Sequence, residues 1–168
     1  KITRAGYYYL TQDIETTDIW VPADGVVLCL NGHSIINTNH GYTIMVRKDY
    51  TFTLCDCKGG SAEYGRITHA EQTDGTKYSG QGVYAIGTFN MYGGSISNNT
   101  SGITATTAID AVNKYKYGGG AVAVRNNTTT IKGGTVIAGN TSGVDGGALY
   151  VKNADSRVLP ASLTTEDC

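Results

Sequence analysis

Gly93-Gly94-Ser95-Ile96-Ser97-Asn98-Asn99-Thr100-Ser101 returns later in the chain as Gly133-Gly134-Thr135-Val136-Ile137-Ala138-Gly139-Asn140-Thr141-Ser142, one residue longer. A second unit, Gly119-Gly120-Ala121-Val122-Ala123-Val124, returns as Gly146-Gly147-Ala148-Leu149-Tyr150-Val151. Gly82-Val83-Tyr84-Ala85-Ile86 is its earlier relative. Thr88-Phe89-Asn90-Met91-Tyr92 and Thr129-Thr130-Ile131-Lys132 stand before the double glycines. Each unit alternates apolar and polar residues over a few positions and closes on Gly or Asn, the pattern of a short strand followed by a tight turn. Strands this short are too weak to stand as hairpins, and the two-residue Asn-Gly turns of a meander are not placed regularly between them. Stacking each strand on its equivalent in the next coil resolves both problems. One face of every strand then enters a shared interior, while the backbone pairs above and below at ~4.8 Å. The corners need positive φ, which Gly and Asn supply.

The fold class is therefore all-β, a right-handed parallel β-helix of about four coils. The four coils start at Val26, Thr51, Phe89 and Thr129. The chain reads as one domain over residues 1–168, with an N-terminal cap at 1–25, coils at 26–153 and a C-terminal extension at 154–168. Two lateral insertions are expected, near Glu71–Gln81 and Ile103–Lys116, where residues are polar or small and the repeat is lost.

Composition narrows the function. Glycine takes 23 of 168 positions, roughly twice the usual share, beside only 2 prolines. Charged residues make up 16% and the net charge is −1, so no basic stripe exists to neutralise a nucleic acid backbone. No apolar run approaches the ~20 residues of a membrane span, and no membrane insertion is expected. Lys1 does not open a basic-then-apolar leader, so an export signal is expected upstream or already removed.

No catalytic residue is expected. A lyase wants clustered carboxylates and a base, and a hydrolase wants paired carboxylates on adjacent strands. Asp56 is nearly the sole acid on the expected strands, and no two acids share one at i and i+2. His33 and His69 could meet on stacked coils, or serve as turn residues bonded to carbonyls. No cofactor is expected. The spacing of Cys29, Cys55, Cys57 and Cys168 matches no tetrahedral zinc pattern, so no metal is expected either. Aligning Leu28 with Leu54 sets Cys29 over Cys55 at ~4.8 Å, within disulfide range, and a two-residue slip substitutes Cys57. Cys29 is expected to pair with Cys55 or Cys57, the alternative being free thiols.

Tyrosine is the surplus residue, with 12 against 2 Phe and 1 Trp. Its ring stacks on sugars and its hydroxyl makes polar contacts. Tyr64, Tyr78, Tyr115 and Tyr117 are assigned to the two insertions, where binding surfaces on rigid scaffolds are found. These four are the expected ligand face.

The run Gly6-Tyr7-Tyr8-Tyr9-Leu10-Thr11, Trp20-Val21-Pro22 and Leu28-Cys29-Leu30-Asn31-Gly32-His33-Ser34-Ile35 continues with Leu54-Cys55-Asp56-Cys57, Ile67-Thr68-His69 and Met91-Tyr92-Gly93-Gly94-Ser95-Ile96. Over nearly the whole chain this set resembles the β-helix modules of large surface proteins from gut-type anaerobic Firmicutes. The Gly-Gly-Ala units are more loosely similar to repeats of polymorphic outer-membrane adhesins. The resemblance implies an extracellular module on the bacterial cell surface, carried within a longer chain. The expected function is adhesin-like: a rigid face presented to a glycan or host surface protein. The alternatives are a structural spacer and a polysaccharide lyase or hydrolase of the β-helix type.

Overall fold

A computed structural model describes residues 2–58, 64–102, 119–125, 127–143, 146–152 and 162–166. The described chain is all-β, with every sheet strand parallel to its neighbours, and it winds as a parallel β-helix. Coil one is β1 (Gly6–Tyr9), β2 (Ile14–Thr16) and β3 (Ile19–Trp20); coil two is β4 (Val26–Cys29), β5 (Ile35–Asn37) and β6 (Ile44–Val46). Coil three is β7 (Thr51–Cys55), β8 (Arg66–His69) and β9 (Val83–Ala85). Coil four holds β10 (Thr88–Met91), β11 (Gly94–Ser97), β12 (Thr100–Ser101) and β13 (Val122–Arg125). Coil five holds β14 (Thr128–Lys132), β15 (Thr135–Ala138), β16 (Thr141–Ser142) and β17 (Leu149–Lys152). The first, second and third main strands of the coils, with β18 (Ser162–Glu166) added to the first, build three faces: β1-β4-β7-β10-β14-β18, β2-β5-β8-β11-β15 and β3-β6-β9-β13-β17.

Within the expected cap at 1–25, three strands pair in register with β4, β5 and β6 and form a coil ahead of the four expected. Within the extension 154–168, β18 (Ser162–Glu166) pairs with β14 and opens a further turn of the first face. The insertion near residues 71–81 is a small hairpin-like excursion with an antiparallel bridge from Glu71 to Lys77. The insertion near 103–116 lies outside the described residues.

Alternation is what builds the core, since successive side chains of a strand point to opposite faces. On the second face, Ile14, Ile35, Ile67, Ile96 and Ile137 share one register column and belong to or pack against one core cluster. On the first face Val26, Phe52, Phe89 and Thr129 align, and the Phe52 and Phe89 rings stack with centroids 6.0 Å apart. Val83 and Val122 continue the third face inward. Close stacking leaves no room at some corners: a Cβ on Gly80 would strike the Gly41 carbonyl.

A polar ladder lies where the second face turns toward the third. Fully buried Asn99 donates from Nδ2 to the Ile67 and Ser97 carbonyls, and Asn140 donates to those of Ile96 and Ala138. These asparagines satisfy turn backbone. His69 joins the ladder, with Nδ1 2.7 Å from Asn99 Oδ1 and Nε2 2.9 Å from the Gly41 carbonyl. Burial pushes its pKa below the ordinary histidine value; the bonds to Asn99 and Gly41 pull the other way, and nearby His40 adds to the lowering. The unfolded chain therefore binds this proton more readily than the folded one. The ladder's stability is complete above about pH 6.5 and declines as pH falls below it, down to the depressed folded value. Urea melts above and below that pH should show the decline in the parent and a smaller one in His69→Asn.

Candidate binding groove

The outward positions of the second face form two ladders. Register places Asp13, Ser34, Arg66, Ser95 and Val136 in one row and Glu15, Ile36, Thr68, Ser97 and Ala138 in the next. Asp13, Ser34 and Arg66 stand in the first row by one-residue extension of the pairs Ile14–Ile35 and Ile35–Ile67. A groove of about 430 Å³ follows the first row and takes in Gly32, Tyr64 and Ser97. It runs across the strands, along the solenoid axis, so its polar groups recur every ~4.8 Å. That interval is comparable to one sugar unit of an extended glycan.

Each groove residue is held by local chemistry. The Asp13 carboxylate accepts the Ser34 N–H at 2.8 Å and lies 3.4 Å from His33 Nδ1. Gly32, at φ 78°, turns the corner into β5 and donates its N–H to Asp56 Oδ1 at 3.0 Å. Asp56 also accepts from the backbone of Lys58 and Gly65, so one carboxylate ties the corners of two coils together. Half-buried Tyr64 reaches from coil three toward coil five, where its hydroxyl lies 3.9 Å from the place a Cβ would take on Gly134. Arg66 is exposed in the middle of the row, and its guanidinium has no hydrogen-bond or ion-pair partner among the described residues.

No family model matches this chain, and no curated protein or solved structure matches it either. Function is therefore read from the groove and not from kinship.

Of the expected ligand face, Tyr64 and Tyr78 are among the described residues. Tyr64 lines the groove, at the edge of β8 nearest the first face. Tyr78 follows the other end of β8, and its ring packs edge-on against His40 with centroids 5.2 Å apart. Tyr115 and Tyr117 lie outside the described residues. His33 and His69 do not meet: His69 stacks on Asn37, four positions along from His33. Cys29 is joined to Cys57, with Cα atoms 6.0 Å apart, while Cys55 is free and stands opposite Cys29 in the ladder. Burial, reinforced by the neighbouring Asp56 charge, raises the Cys55 thiol pKa.

Two other features compete for attention. Trp20, Tyr42 and Tyr84 form an outward aromatic strip on the third face, with Tyr42 and Tyr84 stacked at 5.8 Å. Tyr84 is only 8% exposed, while Trp20 is 46% exposed and carries the Arg47 guanidinium over its ring at 5.0 Å. A larger hollow of about 700 Å³ is lined by Leu10, Ile14, Ile19, Val26, Leu28 and Phe52, the core columns of the first coils viewed end-on.

Proposed function

We propose that this chain is a non-catalytic, adhesin-like module of a bacterial surface protein that binds an acidic glycan along the second face. The observation that carries this reading is Arg66, a guanidinium without a partner among the described residues, flanked in its row by Ser34 and the buried Ser95 and sharing the groove with Tyr64. A planar guanidinium suits a carboxylate bidentately, the hydroxyls suit sugar hydroxyls, and the tyrosine ring suits a sugar face. Neutral glycans use the hydroxyls and ring alone and bind more weakly. Host proteins carrying acidic glycans are the natural partners, and the location is extracellular.

The test is binding of the purified chain to an array of uronic-acid, sialylated and neutral glycans. Acidic glycans should be retained preferentially and released by salt, because exposed charges are screened. Arg66→Ala should weaken binding about 10- to 100-fold, the worth of a charge-assisted hydrogen bond, and Tyr64→Ala about tenfold. Arg66 is exposed, so the melting temperature of Arg66→Ala should stay near the parent's; half-buried Tyr64→Ala should lose slightly more. A clean blank across the array would instead favour a structural spacer.

Asp13 and His33, paired beside the groove, support a second reading as a polysaccharide-cleaving enzyme. New reducing or unsaturated ends after incubation with a retained glycan would favour it.

A further inference from the structure

Three sulfurs converge on the outward side of the first face. Cys29 and Cys55 are register partners on β4 and β7, and Cys57 follows β7 by two residues. Their Sγ atoms all lie within 4.8 Å of one another. Backbone that does not depend on the disulfide fixes each of them. Parallel pairing positions Cys29 and Cys55, and the Asp56 carboxylate, held by the Gly32, Lys58 and Gly65 amides, positions the corner that carries Cys57. The Cys57 N–H also donates to Cys29 Sγ at 2.9 Å, a bond that favours an electron-rich sulfur. A disulfide needs two of these sulfurs, and the third, the Cys55 thiol, lies within 4.8 Å of both and donates to the Leu28 carbonyl at 3.6 Å.

We propose that the reduced Cys29, Cys55 and Cys57 form a three-thiolate site for a soft cation of the Zn²⁺ or Cu⁺ class. Sulfurs around such an ion stand about 4 Å apart at a metal–sulfur distance of ~2.3 Å, so once the Cys29–Cys57 bond is opened those two sulfurs part while Cys55 stays within reach. Thiolate sets select soft ions over Mg²⁺ or Ca²⁺. Opening the Cys29–Cys57 bond takes two electrons and two protons from an external dithiol, which is oxidised to its own disulfide. Loading then releases three thiol protons as three sulfur–metal bonds form. The linear spacing hides this set, because Cys-x-Cys lacks a second close pair and only the coil register brings Cys29 to it.

The experiment uses the full chain carrying Cys168→Ser, reduced with a dithiol, desalted without oxygen and titrated with Cd²⁺. One Cd²⁺ per chain should bind, with a thiolate-to-cadmium charge-transfer band that Zn²⁺ or Cu⁺ abolishes by displacement. Cys55→Ser keeps the disulfide pair but removes one ligand, and should weaken Cd²⁺ binding at least about 100-fold. Absence of a saturable band, or equal affinity in Cys55→Ser, overturns the site. If reduction unfolds the chain, Cd²⁺ should restore its near-ultraviolet circular dichroism, because metal binding then drives folding; failure to restore it is equally contradictory.

Discussion

Phe89→Ala is expected to destabilise the chain by about 3–5 kcal/mol, the usual cost of emptying a buried phenylalanine site. Phe89 is fully buried in the centre of the first face's inward column, stacked on Phe52 and in register with Thr129 on the other side. Coils contact only their neighbours in a solenoid, so nothing outside coils three to five can close the cavity. A chain of this size should lose roughly 10 °C of melting temperature. The next residue is the control: Asn90 faces outward, and its Nδ2 donates to the Thr53 hydroxyl at 3.5 Å. Asn90→Ala should cost under about 1 kcal/mol. Thermal melts of the two variants check the pair, and equal losses would contradict the inward–outward register.

Asp56→Ala should cost about 2–4 kcal/mol, because three backbone N–H groups lose a charged acceptor at once. Oδ1 accepts from Gly32 and Lys58 and Oδ2 from Gly65, at 3.0, 3.0 and 2.7 Å. Neighbouring side chains offer no replacement, since Gly32 and Gly65 have none. Asp56→Asn retains one acceptor oxygen and should recover part of the loss. The same corner shapes one wall of the groove at Gly32, so Asp56→Ala should also weaken glycan binding. Denaturant melts and retention on an acidic-glycan matrix measure the two effects separately; a fully stable variant would mean that water replaces the carboxylate.

The strand pattern was legible because each repeat carries its own alternation and its own glycine stop. The expected strands starting at Val26, Thr51, Phe89 and Thr129 became β4, β7, β10 and β14 within a residue. The first coil was hidden because Tyr7–Trp20 lacks glycine punctuation, and its turns use other chemistry, including Asp13 as acceptor for Ser34. Missing that coil also hid Asp13 as a groove residue. Arg66 opens β8 and Ser95 is the second residue of β11, and their adjacency is a property of register. The added residue in the unit at 133–142 shifts Val136, not Thr135, opposite Ser95. Tyr64 was expected from its ring chemistry and a place in an insertion, whereas it stands just before β8, outside the excursion at 71–81.

The most direct test of the glycan groove is amide chemical-shift mapping of the isotopically labelled chain titrated with a uronic-acid oligosaccharide. The account predicts saturable shifts at Ser34, Arg66, Ser95 and Ser97 along the second face, with the third face around Trp20 and Tyr84 unmoved. Saturable shifts confined to the third face, or none along the Asp13–Val136 row, would contradict it.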